Sequence, residues 1–193
     1  MALIGESTAP ACAQKEGVVS GSDWARRLLA TLSASHLRAL VVLVLLSCAA
    51  FAPGFASLQP MDRDEPRFAQ ASKQMLESSD FVDIRFQDEA RHKKPVGIYW
   101  LQSAVVAGAE ALGVENARTT IAFYRIPSFL GAVATVLLTY WAALAFVSPG
   151  GALLAGAFMA ASILLGVEAR LAKTDAVLTA TTVVMFGALA RLY

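Results

Sequence analysis

The 193-residue sequence predicts an all-α, polytopic transmembrane helical protein with interfacial helices in its first outer loop. Three observations carry that expectation. Hydrophobic residues make up 56% of the chain and charged residues only 16%, where a soluble domain carries about a quarter charged residues. The apolar residues gather into runs at 39–58, 126–147, 150–167 and 176–190, and a helix needs roughly 20 apolar residues to cross the hydrocarbon core. The charges collect between those runs. The net charge of +1 gives no bulk attraction for nucleic acid, and none is expected as a partner.

The elements follow in order. Residues 1–36 open with a stretch rich in Gly, Ser and Ala and are expected to be a disordered cytoplasmic tail. No basic segment sits directly before a short apolar core there, which argues against a cleaved signal peptide. Arg26, Arg27 and Arg38 precede the first run, and basic flanks favour the cytoplasmic side. Transmembrane helix 1 is therefore expected over 37–58, with residue 59 emerging outside. Cys48 lies within this run, far from Cys12. It reads as a small hydrophobe rather than part of a disulfide or zinc framework.

Residues 59–124 form a long outer segment with two expected interfacial helices, 65–78 and 95–113. Asp64 can cap the first, with Glu65 and Pro66 in its opening turn. Phe68, Ala71, Met75 and Leu76 follow at helical spacing. The second stretch, "PVGIYWLQSAVVAGAEALG", is interrupted by Gln102 and Glu110, and Tyr99 and Trp100 suit an interfacial belt. It could equally be a full span. If it does not cross, "EARLAKTD" (168–175) shares a side with "MDRDEPR" (61–67); if it crosses, the two face opposite sides. Transmembrane helices are further expected over 125–147, 150–167 and 176–193, with 168–175 a short outer loop. The last run continues to Tyr193 with no stop signal, so the chain is expected to be the N-terminal piece of a longer multi-span protein.

Three charged clusters are the chemical candidates. Asp62, Arg63, Asp64, Glu65 and Arg67 follow the first run. They are either a solvated helix start or a carboxylate base with an Arg beside it for an anionic group. "RHKKP" (91–95) is either a basic lipid anchor or a phosphate clamp. Glu168, Arg170, Lys173 and Asp175 stand between two apolar runs, and Asp175 opens a span. Residues 62–94 hold seven Lys/Arg against eight Asp/Glu. Cations on an outer loop strain the positive-inside rule, and a ligand carrying phosphate would account for them. No phosphate-cradling Gly loop, CxxC pair, HExxH or nucleophile elbow occurs. His36 and His92 are too few for a His-based metal site, while a divalent ion between Asp64 and Asp175 stays open.

In this order, "RDEPRFAQASKQMLESSDF", "RHKKPVGIYWL" and "EARLAKTDAVLTA" resemble the N-terminal third of polytopic glycosyltransferases of the GT-C fold. They are most similar to bacterial protein O-mannosyltransferase-like enzymes and to lipid A aminoarabinose transferases. The resemblance covers about residues 39–193. It implies a membrane enzyme, a hexosyl or pentosyl transferase, that moves a sugar from a polyprenyl-phosphate carrier to a lipid A, glycan or protein acceptor. The implied location is a bacterial inner membrane with the site facing the periplasm.

Carried over residue by residue, the family's Asp-Glu pair falls on Asp64 and Glu65, and its later carboxylate on Asp175, as the catalytic set. Its phosphate-binding Arg and Lys fall on Arg67 and Lys94, with Lys93 and Arg170 beside them. Some aminoarabinose transferases have a zinc-binding Glu where this sequence has Lys93, a departure that speaks against zinc and against aminoarabinose. Whether 193 residues suffice for activity is left open by the resemblance. The rival classes are a multi-span transporter or channel, whose intramembrane charges would mark a substrate path, and a non-catalytic membrane scaffold.

Overall fold

The computed structural model describes residues 21–91 and 94–192. They form eight α-helices and one small hairpin: α1 (Gly21–Leu32), α2 (His36–Phe51), α3 (Glu65–Ser78), β1 (Arg85–Phe86), β2 (Glu89–Ala90), α4 (Gly97–Ala111), α5 (Ile121–Ala143), α6 (Pro149–Ala160), α7 (Ile163–Glu168) and α8 (Asp175–Leu192). Two of these, α5 with 23 residues and α8 with 18, are long and apolar enough to cross a membrane.

The other apolar runs are not single straight helices. α2 stops at Phe51, well short of residue 58, because Pro53 brings no N–H and Gly54 turns the chain at φ +81°. Its 16 residues reach span length only together with α1, and the two meet at 105°. The expected disordered tail is thus helical over 21–32, while residues 1–20 lie outside the described residues. The run 150–167 is broken in two. Ser162 takes an extended conformation, and its Oγ accepts the Leu165 N–H, starting a new helix after α6 has ended. α5 begins and ends four residues before the expected 125–147. α4 has 15 residues, fewer than a crossing requires.

α5 is the central helix, with α8, α6, α4 and α2 packed on it. Its contact with α8 depends on Gly131, where a Cβ would lie 2.9 Å from the Val177 backbone N. Small residues of this kind let helix backbones approach closely. One core joins α2, α5, α6 and α7 through Leu43, Phe51, Val136, Ala152 and Leu165. A second lies under α3, the hairpin and α4, where Phe68 stacks on Tyr99 with ring centroids 5.4 Å apart.

The helices define two ends. His36 Nδ1 and the Tyr140 hydroxyl, 2.7 Å apart, tie the start of α2 to the last turn of α5. At the other end Arg125, near the start of α5, reaches the segment that follows α2. Both charged segments, 61–67 and 168–175, gather at this second end.

Candidate functional site

The first and third charged clusters meet in space. Asp62 Oδ2 and Lys173 Nζ are 2.5 Å apart. Lys173 Nζ stands 3.7 Å from Glu168 Oε1, and the Glu168 carboxyl faces that of Asp175. On the other side, Asp62 Oδ1 accepts the Asp64 N–H at 3.0 Å. A polar chain therefore runs Asp64, Asp62, Lys173, Glu168, Asp175. Three of its members, with Arg63, line a cleft of ≈ 760 Å³ whose remaining wall includes Leu58, Met61, Val167 and Leu171. The cleft thus combines charged and apolar side chains, Arg170 among the former.

The electrostatics follow from this packing. Burial pushes the Glu168 carboxyl above its ordinary value; Lys173 opposes the shift and Asp175 adds to it. Glu168 Oε2 is buried with no donor to it, so a proton on Glu168 would close the contact with Asp175. The hydrogen bond from Lys173 holds Asp62 below the usual carboxylate range, helped by the Asp64 N–H. Burial works against the Lys173 ammonium, yet Asp62, Glu168 and Asp175 together raise it above the ordinary lysine value.

Beneath the cleft lies a fully buried ion pair. Arg125 Nε and Nη2 donate to Glu65 Oε1 and Oε2 at 2.7 and 3.2 Å. Arg125 Nη1 donates to the carbonyls of Phe55 and Leu58 at 2.7 and 2.8 Å. Glu65 Oε1 also accepts the Ala172 N–H at 3.0 Å. One guanidinium and one carboxylate thus tie together the segment after α2, the start of α3, the start of α5 and the 168–175 segment. Burying two charges is costly, and bidentate geometry with the further hydrogen bonds at Arg125 Nη1 and Glu65 Oε1 is what offsets it.

The expected site residues divide accordingly. The Asp64 side chain is 44% exposed, 3.3 Å from Arg67 Nη1, and does not cap α3. Its carboxylate is open to a reactant, and Arg67 is partly exposed beside it. Glu65 is 0% exposed and both its oxygens are taken, so its geometry is that of a positioning residue. Arg170 is spent on the carbonyls of Pro53, Gly166 and Ala50, neutralising the C-terminal end of α2 rather than standing free for a phosphate. Asp175 opens α8 and faces a separate small pocket with Glu168, Ser162 and Thr179. Lys94 is exposed just ahead of α4, and Lys93 lies outside the described residues. Among the described residues, no group of three or more His, Cys, Asp or Glu side chains could hold a metal ion.

Three residues gain importance that the sequence did not give them. Asp62 and Lys173 were visible only as members of charged clusters. Arg125 lies near the start of an apolar run, and a lone ionisable residue in such a place calls for a buried partner. That was the available signal. Scans against protein-family models, curated proteins and solved structures each find no match to this chain.

Proposed function

We propose that the chain is part of a GT-C-like membrane glycosyltransferase that transfers a sugar from a polyprenyl-phosphate carrier to a lipid, glycan or protein acceptor. The observation that supports this reading is the Asp62–Lys173 contact. It brings two distant charged segments to one cleft lined by both charged and apolar side chains, as an amphiphilic donor requires. The segment 95–113, too short as α4 to cross, is compatible with both clusters facing one compartment. In this reading that compartment is the periplasm of a bacterial inner membrane.

The chemistry assigned to the site is a single displacement. The acceptor hydroxyl attacks the anomeric carbon as the bond to the phosphate oxygen breaks, and the electron pair leaves on the phosphate. Asp64, exposed and held by Arg67, takes or orients the acceptor proton. Arg63, Arg67 and Lys94 are the cations that neutralise the departing polyprenyl phosphate. Asp175, in the neighbouring pocket, acts through Glu168 as a positioning residue, while Glu168 and Lys173 reach the cleft. Direct displacement inverts the anomeric configuration. Against the transporter alternative, the buried ion pair at this end is engaged at all three guanidinium nitrogens of Arg125 and at both oxygens of Glu65, as a structural tie would be.

The test compares binding of polyprenyl phosphate and of the uncharged polyprenol to the chain in nanodiscs, by native mass spectrometry. The phosphate form should bind preferentially, and Lys173→Met, which unsettles the charged wall, should weaken that preference by roughly tenfold, the scale of one charge-assisted hydrogen bond. Equal binding of the two lipids would sink the donor assignment. In a sugar-transfer assay, full activity of Asp64→Asn would remove Asp64 from the mechanism.

A further inference from the structure

The end of the molecule opposite the cleft carries a feature unconnected with sugar transfer. Trp24, Ala25, Leu28, Leu29 and Leu32 fall on one face of α1, and Asp23, Arg26, Arg27 and Thr31 on the other. Leu29 and Leu32 pack on the bundle core. Trp24 and Leu28 stay 63% and 52% exposed, flanking an apolar groove of ≈ 510 Å³ between α1, α2 and α6. Val42, Leu46, Leu153 and Ala157 line its floor, and Arg26 stands at its rim.

Two independent observations say what fits there. α1 crosses α2 at 105°, so when the bundle stands in a membrane, α1 lies along the interface with its apolar face toward the hydrocarbon. The charge at this end is also one-sided. Arg26, Arg27, Arg38 and Arg191 sit here, and every carboxylate among the described residues except Asp23 belongs to segments 59–120 and 168–175. Cations at an interface attract anionic headgroups, and an amphipathic helix with Arg on its polar face and Trp and Leu on the other lies in the headgroup region.

We infer that α1 is an interfacial helix that docks on an anionic phospholipid leaflet, with Arg26 and Arg27 at the headgroups and an acyl chain in the groove beneath Trp24 and Leu28. The occupant is a lipid rather than a protein segment. The groove is almost entirely apolar and opens beside helices that face hydrocarbon, while its rim carries a cation. Docking would fix α2 at the start of its path, through the short 33–35 connection and the His36–Tyr140 contact.

The experiment uses the whole chain in nanodiscs of phosphatidylcholine alone or mixed with phosphatidylglycerol, each with brominated acyl chains that quench nearby tryptophans. The Trp24 signal is the difference between wild type and Trp24→Phe, a change at an exposed position that spares the core. Quenching of Trp24 should be greater in the phosphatidylglycerol discs. Arg26→Gln/Arg27→Gln should abolish that excess without changing the helical circular dichroism. Raising the salt concentration should reduce it as well. Equal quenching in both lipids would overturn the anionic-lipid assignment. A Trp24 that no brominated chain quenches would overturn docking altogether. Neither result bears on the sugar-donor site, which lies at the opposite end.

Discussion

Removing one partner of the Glu65–Arg125 pair tests whether it is the anchor of the cleft. Both side chains are 0% exposed, so Glu65→Ala leaves a guanidinium in the interior with only the Phe55 and Leu58 carbonyls, and leaves the Ala172 N–H without its acceptor. Breaking a buried pair from one side costs about 3–5 kcal/mol. The Arg118–Glu110 pair provides an internal standard. It is bidentate at 2.6 and 3.1 Å, but its side chains are 38% and 34% exposed, and an exposed pair contributes about 0.2–1 kcal/mol. Denaturant unfolding in detergent, followed by tryptophan fluorescence, would give Glu65→Ala, Arg125→Met, the double variant and Glu110→Ala. The double variant should recover part of the single losses, because both charges then leave together, with a coupling energy toward the upper end of about 0.5–3 kcal/mol. A Glu65→Ala loss no larger than that of Glu110→Ala, or additive losses in the cycle, would refute the anchor.

Three further outcomes are expected. Glu168, raised above its ordinary 4.5 by burial, binds its proton more tightly folded than unfolded; its contribution is fully present below pH 4.5 and is lost as pH rises through the raised value. Glu168→Gln should therefore gain stability relative to wild type across that rise, and a difference flat with pH would show that burial does not dominate at Glu168. Gly131→Ala would place a Cβ 2.9 Å from the Val177 backbone and should cost about 1–3 kcal/mol in the same unfolding assay, as overpacking does; a neutral substitution would mean that α5 and α8 can part freely. Single cysteines at Met61 and Phe146, 79% and 74% exposed at opposite ends, should divide on a background without Cys12 and Cys48: an impermeant maleimide should label Met61→Cys in intact cells and Phe146→Cys only after permeabilisation, and labelling of both in intact cells would overturn the two-ended arrangement.

The helical class was legible because apolar runs of this length have few other solutions. The interruptions were less so. Pro53 and Gly54 were in plain view as helix-ending residues, yet a hydropathy run passes over them. Ser162 breaks 150–167 with no proline or glycine beside it, acting through a local cap that runs of apolar character do not reveal. α1 was hidden because its apolar residues sit next to a Ser- and Gly-rich stretch, although Trp24, Leu28 and Leu32 have helical spacing. The hairpin at 85–90 has two residues per strand, too few to show alternation. The acid/base clusters could be found from local density. Their partners could not, since the pairings of Asp62 with Lys173 and of Glu65 with Arg125 join positions far apart in the chain.

The start of α3 shows how a buried and an exposed carboxylate come to stand side by side. Asp64 and Glu65 are adjacent, and successive residues entering a helix point about 100° apart. One turns inward, where Arg125 fixes it against three other segments; the other turns outward to solvent and Arg67. Pro66, in the first turn, needs no N–H partner there and holds φ near the helical value. The exposed Asp64 carboxylate is thereby placed by its buried neighbour without surrendering any of its own hydrogen-bonding capacity inward. A one-residue deletion between Met61 and Asp64 would leave the apolar composition intact but shorten the reach from the Phe55 and Leu58 carbonyls to Glu65. Deleting Arg63, the one residue there outside the Asp62–Lys173 contact, should strain either that contact or the Arg125 pair. The arrangement of the charged end therefore rests on register, set by a few residues after α2, more than on the number of charges gathered there.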